Sequence, residues 1–461
     1  MENLEYKRKN VWQEVDPEEY QAIFAYGEAY KHFLDRAKTE REATKYIVKA
    51  AEEAGFLPLD QALAKGLAPG QKIYLNNRGK SAVLMVLGQD ILEGMHIVGA
   101  HIDSPRLDLK QNPLYESENL ALFKTHYYGG IRKYQWPTLP LALYGRIFTQ
   151  EGQAVDIAIG DDPQDPVFYV TDLLVHLSKD QEKKTLGEGI EGEQLNIVVG
   201  HDSYHFKDEK ESPIKKSILK ILHDKYGILE EDFLVAELEA VPAGQARDVG
   251  FDRAMIMGHG HDDRVCAFGA LDAILGIENP QKTAVALFTD KEETGSYGNT
   301  GMEGAFFKYF LEEVLYGLGH KEAIHLGRVL SKTQVLSADV TAVVDPNHPE
   351  VMEKQNGAQG GHGVALAKYT GSRGKSGTND ANAEFLQEVR ACFKGAGVIW
   401  QTGEMGKVDQ GGGGTIAFIL ANQGCEVVDV GTPVFSMHAP LELISKADAY
   451  MTRKAYWAFL K

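Results

Sequence analysis

One stretch constrains this chain more than any other: Ala284-Val-Ala-Leu-Phe288, running on into Thr289-Asp-Lys-Glu-Glu-Thr-Gly-Ser296. The short apolar run predicts a buried strand. It breaks at once into Asp290, Lys291 and the adjacent carboxylates Glu292 and Glu293. Two acids side by side at the end of a buried strand repel one another unless something cationic sits nearby. A divalent metal with its water meets that need, one acid acting as ligand and the other taking the water's proton. Taken alone, the pair reads more readily as a solvated turn. The other ligands decide.

Four further stretches repeat the design of an apolar run ending abruptly in His, Asp or Glu. They hold His101 and Asp103, Asp262 and Asp263, Asp339 within Leu336-Ser-Ala-Asp-Val340, and His438 within Phe435-Ser-Met-His-Ala-Pro440. Each has a bland reading as a helix cap or a surface ion pair. Their recurrence makes independent capping a poor account. Between them strand, helix and loop alternate to the end of the chain, which predicts an α/β fold with a mostly parallel sheet. In such sheets ligands bind outside the carboxyl ends of the strands, where these side chains would converge. Two imidazoles and several carboxylates, without thiolate, suit zinc, manganese or cobalt, and the carboxylate-rich balance favours two ions.

Near the start, Asp16-Pro17-Glu18-Glu19 predicts one helix and the capping box Thr39-Glu40-Arg41-Glu42 a second. Ile73 to Leu87 predicts a hairpin around Asn77-Arg78-Gly79, and a closing helix is expected from about Leu441. The texture changes from about Arg106 to about Asp248, where β-like runs and a Lys-rich segment replace the alternation. This predicts a β-rich inserted domain over 106–248, flanked by two parts of a catalytic domain over 1–105 and 249–461, as suits a 461-residue chain. A net charge of −18 with no basic block argues against nucleic-acid or anionic-membrane partners. Cys266, Cys392 and Cys425 lie too far apart to suggest a thiolate site. With no signal-peptide pattern and no membrane-length apolar run, the expected location is the cytoplasm.

The order and wording of Gly99-Ala-His-Ile-Asp-Ser-Pro105, His261-Asp-Asp-Arg264, Asp290-Lys-Glu-Glu-Thr-Gly-Ser296, Ser337-Ala-Asp339 and Ser436-Met-His438 resemble the M18 aminopeptidases, the aspartyl aminopeptidase family of dinuclear zinc peptidases. The resemblance runs from about Trp12 to the C-terminus. It implies a three-layer α/β/α catalytic domain of the zinc-exopeptidase type, an insertion serving oligomerisation and substrate access, and a tetrahedral homo-dodecamer that acts on peptides. By the same resemblance Asp262 bridges two metals, His101 and Asp339 complete one, and Glu293 and His438 the other. Glu292 is then the general base, and Asp103 fixes the tautomer of His101.

Two positions depart from the family pattern. Asp345, in Asp345-Pro-Asn347, and Asp172 stand where the better-known eukaryotic members are expected to carry histidine, so an anion replaces a potential cation. For the family's preference for N-terminal Asp and Glu, Arg373 and Lys375 are the candidate readers. Gln410-Gly-Gly-Gly-Gly-Thr415 lacks the ending of a phosphate loop and is expected to let backbone approach the substrate. His259 reads as a loop residue, and His176, beside Leu173, Leu174 and Leu177, as structural. Two other functions remain open on the residues alone: a deacylase or carboxypeptidase using the same metals, and a non-catalytic assembly or cargo protein. The intact Glu292 argues against the second.

Overall fold

The computed structural model describes residues 4–371 and 379–461, which divide into two compact units. The first comprises the chain up to Asp103 together with Ala246–Met437 and Glu442–Lys461. Its main sheet has nine strands in the order Leu57–Pro58, Lys72–Asn77, Ser81–Val86, Thr283–Thr289, Met95–His101, Gln334–Ser337, Glu426–Gly431, Val364–Ala367 and Trp400–Thr402. The three strands Thr283–Thr289, Met95–His101 and Gln334–Ser337 are parallel neighbours, and Gln334–Ser337 is parallel in turn to Glu426–Gly431. The fold is α/β.

The apolar runs lack a polar alternation because both faces of this sheet are covered. Along Thr283–Thr289, Ala284, Ala286 and Phe288 join one core while Val285 and Leu287 join the other. Ser81–Val86 divides the same way, with Ala82, Leu84 and Val86 against Val83 and Met85. The first core takes side chains from the helices Pro17–Arg36, Glu40–Glu53, His261–Leu275, Ala383–Gly395 and Lys446–Leu460. The second takes them from Leu59–Lys65, Phe306–Gly317, Ile324–Leu330 and Ala417–Ala421.

Local signals fare unevenly. Asp16 caps its helix as expected, accepting from the Glu19 amide at 2.8 Å. Thr39 does not: its hydroxyl donates to the Glu42 carboxylate, and neither side chain serves the backbone in a capping box. The closing helix begins at Lys446, later than expected, because Glu442–Ser445 is a strand. That strand belongs to a separate five-stranded sheet, with Arg247–Val249, Met255–Gly258, Pro433–Phe435 and Thr341–Ala342, which the pattern of apolar runs did not announce.

The second unit comprises Ser104–Gln245 with the short segment His438–Leu441. Its seven strands pair antiparallel throughout. Glu237–Pro242 pairs with both Arg106–Ser117 and Pro140–Phe148, so six strands close into a ring and Ala154–Ile159 is added outside it. Closure gives each of the six ring strands a partner on both sides, leaving an edge only at Ala154–Ile159. Leu107, Phe123, Trp136, Leu141 and Leu238 are among the residues of its core. The apolar face suggested for His176 is absent from that core: Leu173, Leu174 and Leu177 are 43%, 53% and 66% exposed.

Candidate active site

Register brings the polar strand ends together. Thr289 pairs with His101, and Ser337 pairs with Gly99 on one side and Asp429 on the other, so the parallel strands end at one level of the sheet. His101 is the last residue of its strand and is buried. One strand over, the chain leaves Thr289 through Asp290 and Lys291, the latter in the left-handed region at φ 66°, into a short 3-10 turn, Glu292–Thr294. That turn reverses the chain and presents both carboxylates. Asp339 follows the end of Gln334–Ser337 by two residues.

Asp262 and Asp263 open the helix His261–Leu275 but are not helical themselves, with ψ of 109° and 24°, and the peptide between them is cis. Both are buried. The Asp262 amide donates to Glu442 at 3.0 Å, and Asp263 accepts from the His101 amide at 3.3 Å. Arg264, also buried, donates to the carbonyls of Ile102 at 3.3 Å and Lys38 at 3.0 Å. The motif His261-Asp-Asp-Arg264 therefore clamps the loop after His101 as well as presenting acids to it.

The side chains of His101, Asp262, Glu292, Glu293 and Asp339 form two overlapping groups. Ligand atoms of His101, Asp262 and Glu293 lie within 4.8 Å of one another, and so do those of His101, Glu292 and Asp339. The Nε2 of His101 is 3.1 Å from Asp262 and 3.9 Å from Glu292. Its Nδ1 is 3.0 Å from the Asp103 carbonyl and 3.3 Å from the Asp103 carboxylate. Asp103, fully buried, also accepts from the amides of Glu292 at 3.1 Å and Glu293 at 3.2 Å. One carboxylate thus fixes both the imidazole and the turn carrying the two glutamates.

The electrostatics follow from crowding. Burial alone would lower the pKa of His101, but Asp103 and Asp262 outweigh it and hold the imidazole well above its usual range. Burial, and then the charges of Glu292 and Asp263, push Asp339 well above the usual carboxylate range. Asp263 is pushed the same way, first by burial. So many acids around one imidazole constitute a site short of positive charge. Hard oxygen donors plus a nitrogen, with no thiolate, fit a borderline divalent ion such as zinc.

His438, at φ 64°, belongs with the second unit, where its Nδ1 donates to the Gly130 carbonyl at 2.8 Å. That tautomer puts the lone pair on Nε2. Asp172, exposed in the second unit, accepts from the Leu173 amide at 2.7 Å. Asp345 accepts from the Asn347 amide at 2.8 Å, a turn-stabilising contact. Arg373 and Lys375 lie outside the described residues. Glu442 and Arg264 had no assigned role in the sequence reading. Arg264 stands inside a quoted motif, but nothing in the spacing signals Glu442.

Residues 33–460 match the model of the aminopeptidase I zinc metalloproteases, M18. The chain belongs to the M18 aminopeptidase family. Its members are zinc peptide hydrolases, and this chain is a metallo-aminopeptidase among them. A probable M18 family aminopeptidase 1 of Clostridium acetobutylicum is 50% identical over 456 residues, 98% of each chain. The crystal structure of the M18 aminopeptidase from Thermotoga maritima superposes with a TM-score of 0.95 at 45% identity, covering 99% of this chain and 100% of that one. A yeast mApe1 dodecamer, 19% identical with a TM-score of 0.74 and covering 94% and 95% of the two chains, shares the fold. Among the described residues no helix is long and apolar enough to cross a membrane.

Proposed function

We propose that this M18 enzyme removes the first residue of peptides with Glu292 as general base and a pair of zinc ions held by His101, Asp262, Glu293, Asp339 and His438. By the family resemblance Asp262 would serve both ions, His101 and Asp339 one of them, and Glu293 and His438 the other. The observation that carries it is His101 between two sets of acids: Asp103 on Nδ1, and Asp262 with Glu292 towards Nε2. Bound zinc supplies Lewis acidity, acidifying water and polarising the scissile carbonyl.

The rest falls to the chain's own residues. Glu292, half-buried with its side chain 17% exposed, is open enough to meet substrate. It takes the proton of the attacking water and passes it to the departing amine. Asp103 keeps the turn at Glu292 and Glu293 in register with His101 through the two amides it accepts from. Gly411 packs directly on the Met405 backbone, where a Cβ would stand 1.7 Å from the Met405 carbonyl oxygen.

At the scale of architecture, helices contributing to the two cores of the nine-stranded sheet support a three-layer α/β/α arrangement of the zinc-exopeptidase type. The antiparallel unit is read as an insertion serving assembly and substrate access. The yeast dodecamer of this fold supports a homo-dodecamer, for which the family resemblance implies a tetrahedral arrangement, and the cytoplasm is the proposed location. The testing experiment is a panel of chromogenic aminoacyl substrates, acidic, basic and apolar, assayed after chelation and with zinc, cobalt or manganese restored. Metal-dependent release of the first residue is expected. Release from none of them, with metal bound, would overturn the reading.

A further inference from the structure

Beside Asp339 lies a cavity of about 90 Å³ whose walls include Thr341, Tyr369, Glu404, Asp429 and Gly411. Asp429 stands on the strand Glu426–Gly431, in register with Ser337, and is only 4% exposed. Neither of its carboxylate oxygens has a hydrogen-bond partner among the described residues, and neither does the buried Ser337 hydroxyl. The hydroxyls of Thr415 and Ser337 face the carboxylate without completing the geometry. Burial pushes its pKa up to about 6, opposed by those two hydroxyls. A buried carboxylate with no counter-charge among the described residues costs free energy in the native state and calls for a reason.

Among the described residues nothing neutralises it. The described titratable groups lining the cavity are Asp339, Tyr369, Glu404, Asp429 and Lys407. Lys407 is exposed, and its ammonium donates to the Glu350 carbonyl. Asp339 belongs to the metal cluster. Glu404, half-buried, adds negative charge, and burial together with Glu353 raises its pKa. The described lining is therefore acidic and has Asp339 in common with the catalytic cluster. A peptide whose first carbonyl sits at that cluster brings only its N-terminal residue within reach.

We infer that the Asp429 cavity is a cation subsite that takes an ammonium group of the substrate's first residue, with Asp429 as counter-charge and Glu404 at its side. This rests on the aminopeptidase reading above and adds a substrate class to it. The ammonium has two sources, the α-amine of any peptide or the side chain of an N-terminal Lys. An N-terminal Asp or Glu would set its carboxylate against Asp429 and Glu404 and is disfavoured.

The test compares zinc-loaded wild type with Asp429→Asn on lysyl, leucyl and glutamyl anilides. Calorimetric binding of L-lysine and L-norleucine to both proteins runs alongside. Wild type is expected to prefer lysyl or leucyl over glutamyl substrate. Asp429→Asn should lower kcat/KM about tenfold, through KM rather than kcat. A loss confined to lysyl substrate and to lysine binding assigns the side chain as the source. An equal loss for lysyl and leucyl substrates, and for both amino acids, assigns the α-amine. Because Asn keeps the shape and removes an unpaired buried charge, Tm should not fall, an outcome that a purely structural carboxylate would not give. Should that variant fail to fold, Glu404→Gln on the half-buried wall is expected to give a weaker loss of the same pattern. Folded variants that leave all kcat/KM values and both affinities within about twofold of wild type, or a glutamyl preference that neither variant alters, would overturn the subsite. If wild type cleaves no substrate, the aminopeptidase reading fails, and the lysine titrations still decide whether Asp429 binds a cation.

Discussion

Asp103 and Glu292 divide the labour at the smallest scale, and their substitutions should separate cleanly. Glu292 has a carboxylate near His101 at 3.9 Å, whereas Asp103 is tied to backbone amides and to the other imidazole nitrogen. Glu292→Gln keeps the volume and loses the base. It should retain zinc by elemental analysis while kcat falls by roughly 10²–10⁴-fold. A near wild-type kcat would reassign the base. Asp103→Asn replaces one of the acceptors for the Glu292 and Glu293 amides with a donor, setting N–H against N–H. The expected consequence is zinc affinity weakened by about 10–100-fold in a chelator competition, a readout independent of turnover. Unchanged affinity would show that His101 is oriented by its Asp103 carbonyl contact alone.

Among the elements, the strand Met95–His101 shows what the sequence could and could not tell. Its apolar run and its terminal His101 were legible because a strand covered on both faces needs no polar alternation and a metal ligand needs a strand end. Equally legible was the strand before Glu292, where an apolar run and abrupt acids coincide. The clamp from Asp103 to two amides nearly 190 residues along the chain was not, since backbone acceptors leave no residue signature. Nor were the ring closure by Glu237–Pro242 and the small sheet holding Glu442–Ser445, which depend on long-range pairing of short strands. The same strand carries a pH liability. His96 packs on Phe459, ring centroids 4.6 Å apart, and its Nε2 lies 3.1 Å from the side-chain Oε1 of Gln334. Burial, with Lys282 adding to it, lowers its pKa from 6.5 to about 4. The unfolded chain takes up a proton that the folded chain refuses, so stability is intact above pH 6.5 and declines as pH falls towards 4. His96→Gln keeps a hydrogen-bonding group for Gln334 and cannot titrate, so its Tm should fall less steeply over that window. Parallel Tm-against-pH curves for the two proteins would show that His96 is not a source of the acid loss.

For the whole molecule, assembly and metal are the two terms that could dominate stability, and they can be separated. Sedimentation of the zinc-loaded chain should give a dodecamer, and a profile of monomer alone would remove the assembly proposal. Metal acts through the cluster. Its acids are held close by strand register and by Asp103 whether or not a cation is present, so without metal their crowding is a cost to the native state. In the unfolded chain His101, Asp262, Glu293 and Asp339 separate and that cost disappears. Zinc therefore binds the native state selectively, and mass action adds about 2.7 kcal/mol of stability when free zinc stands at 100 times its dissociation constant. Chelation should lower Tm, and restoring zinc should raise it again with a logarithmic dependence on free metal. Asp262→Ala removes one of the acids nearest His101, so the variant should lose most of the zinc-dependent rise. Measured at the same protein concentration and with the oligomer distribution checked by sedimentation, that loss belongs to the metal cluster. A Tm that ignores both chelator and zinc in wild type would mean that the acids are neutralised from within the chain, and the metal assignment would fall with it.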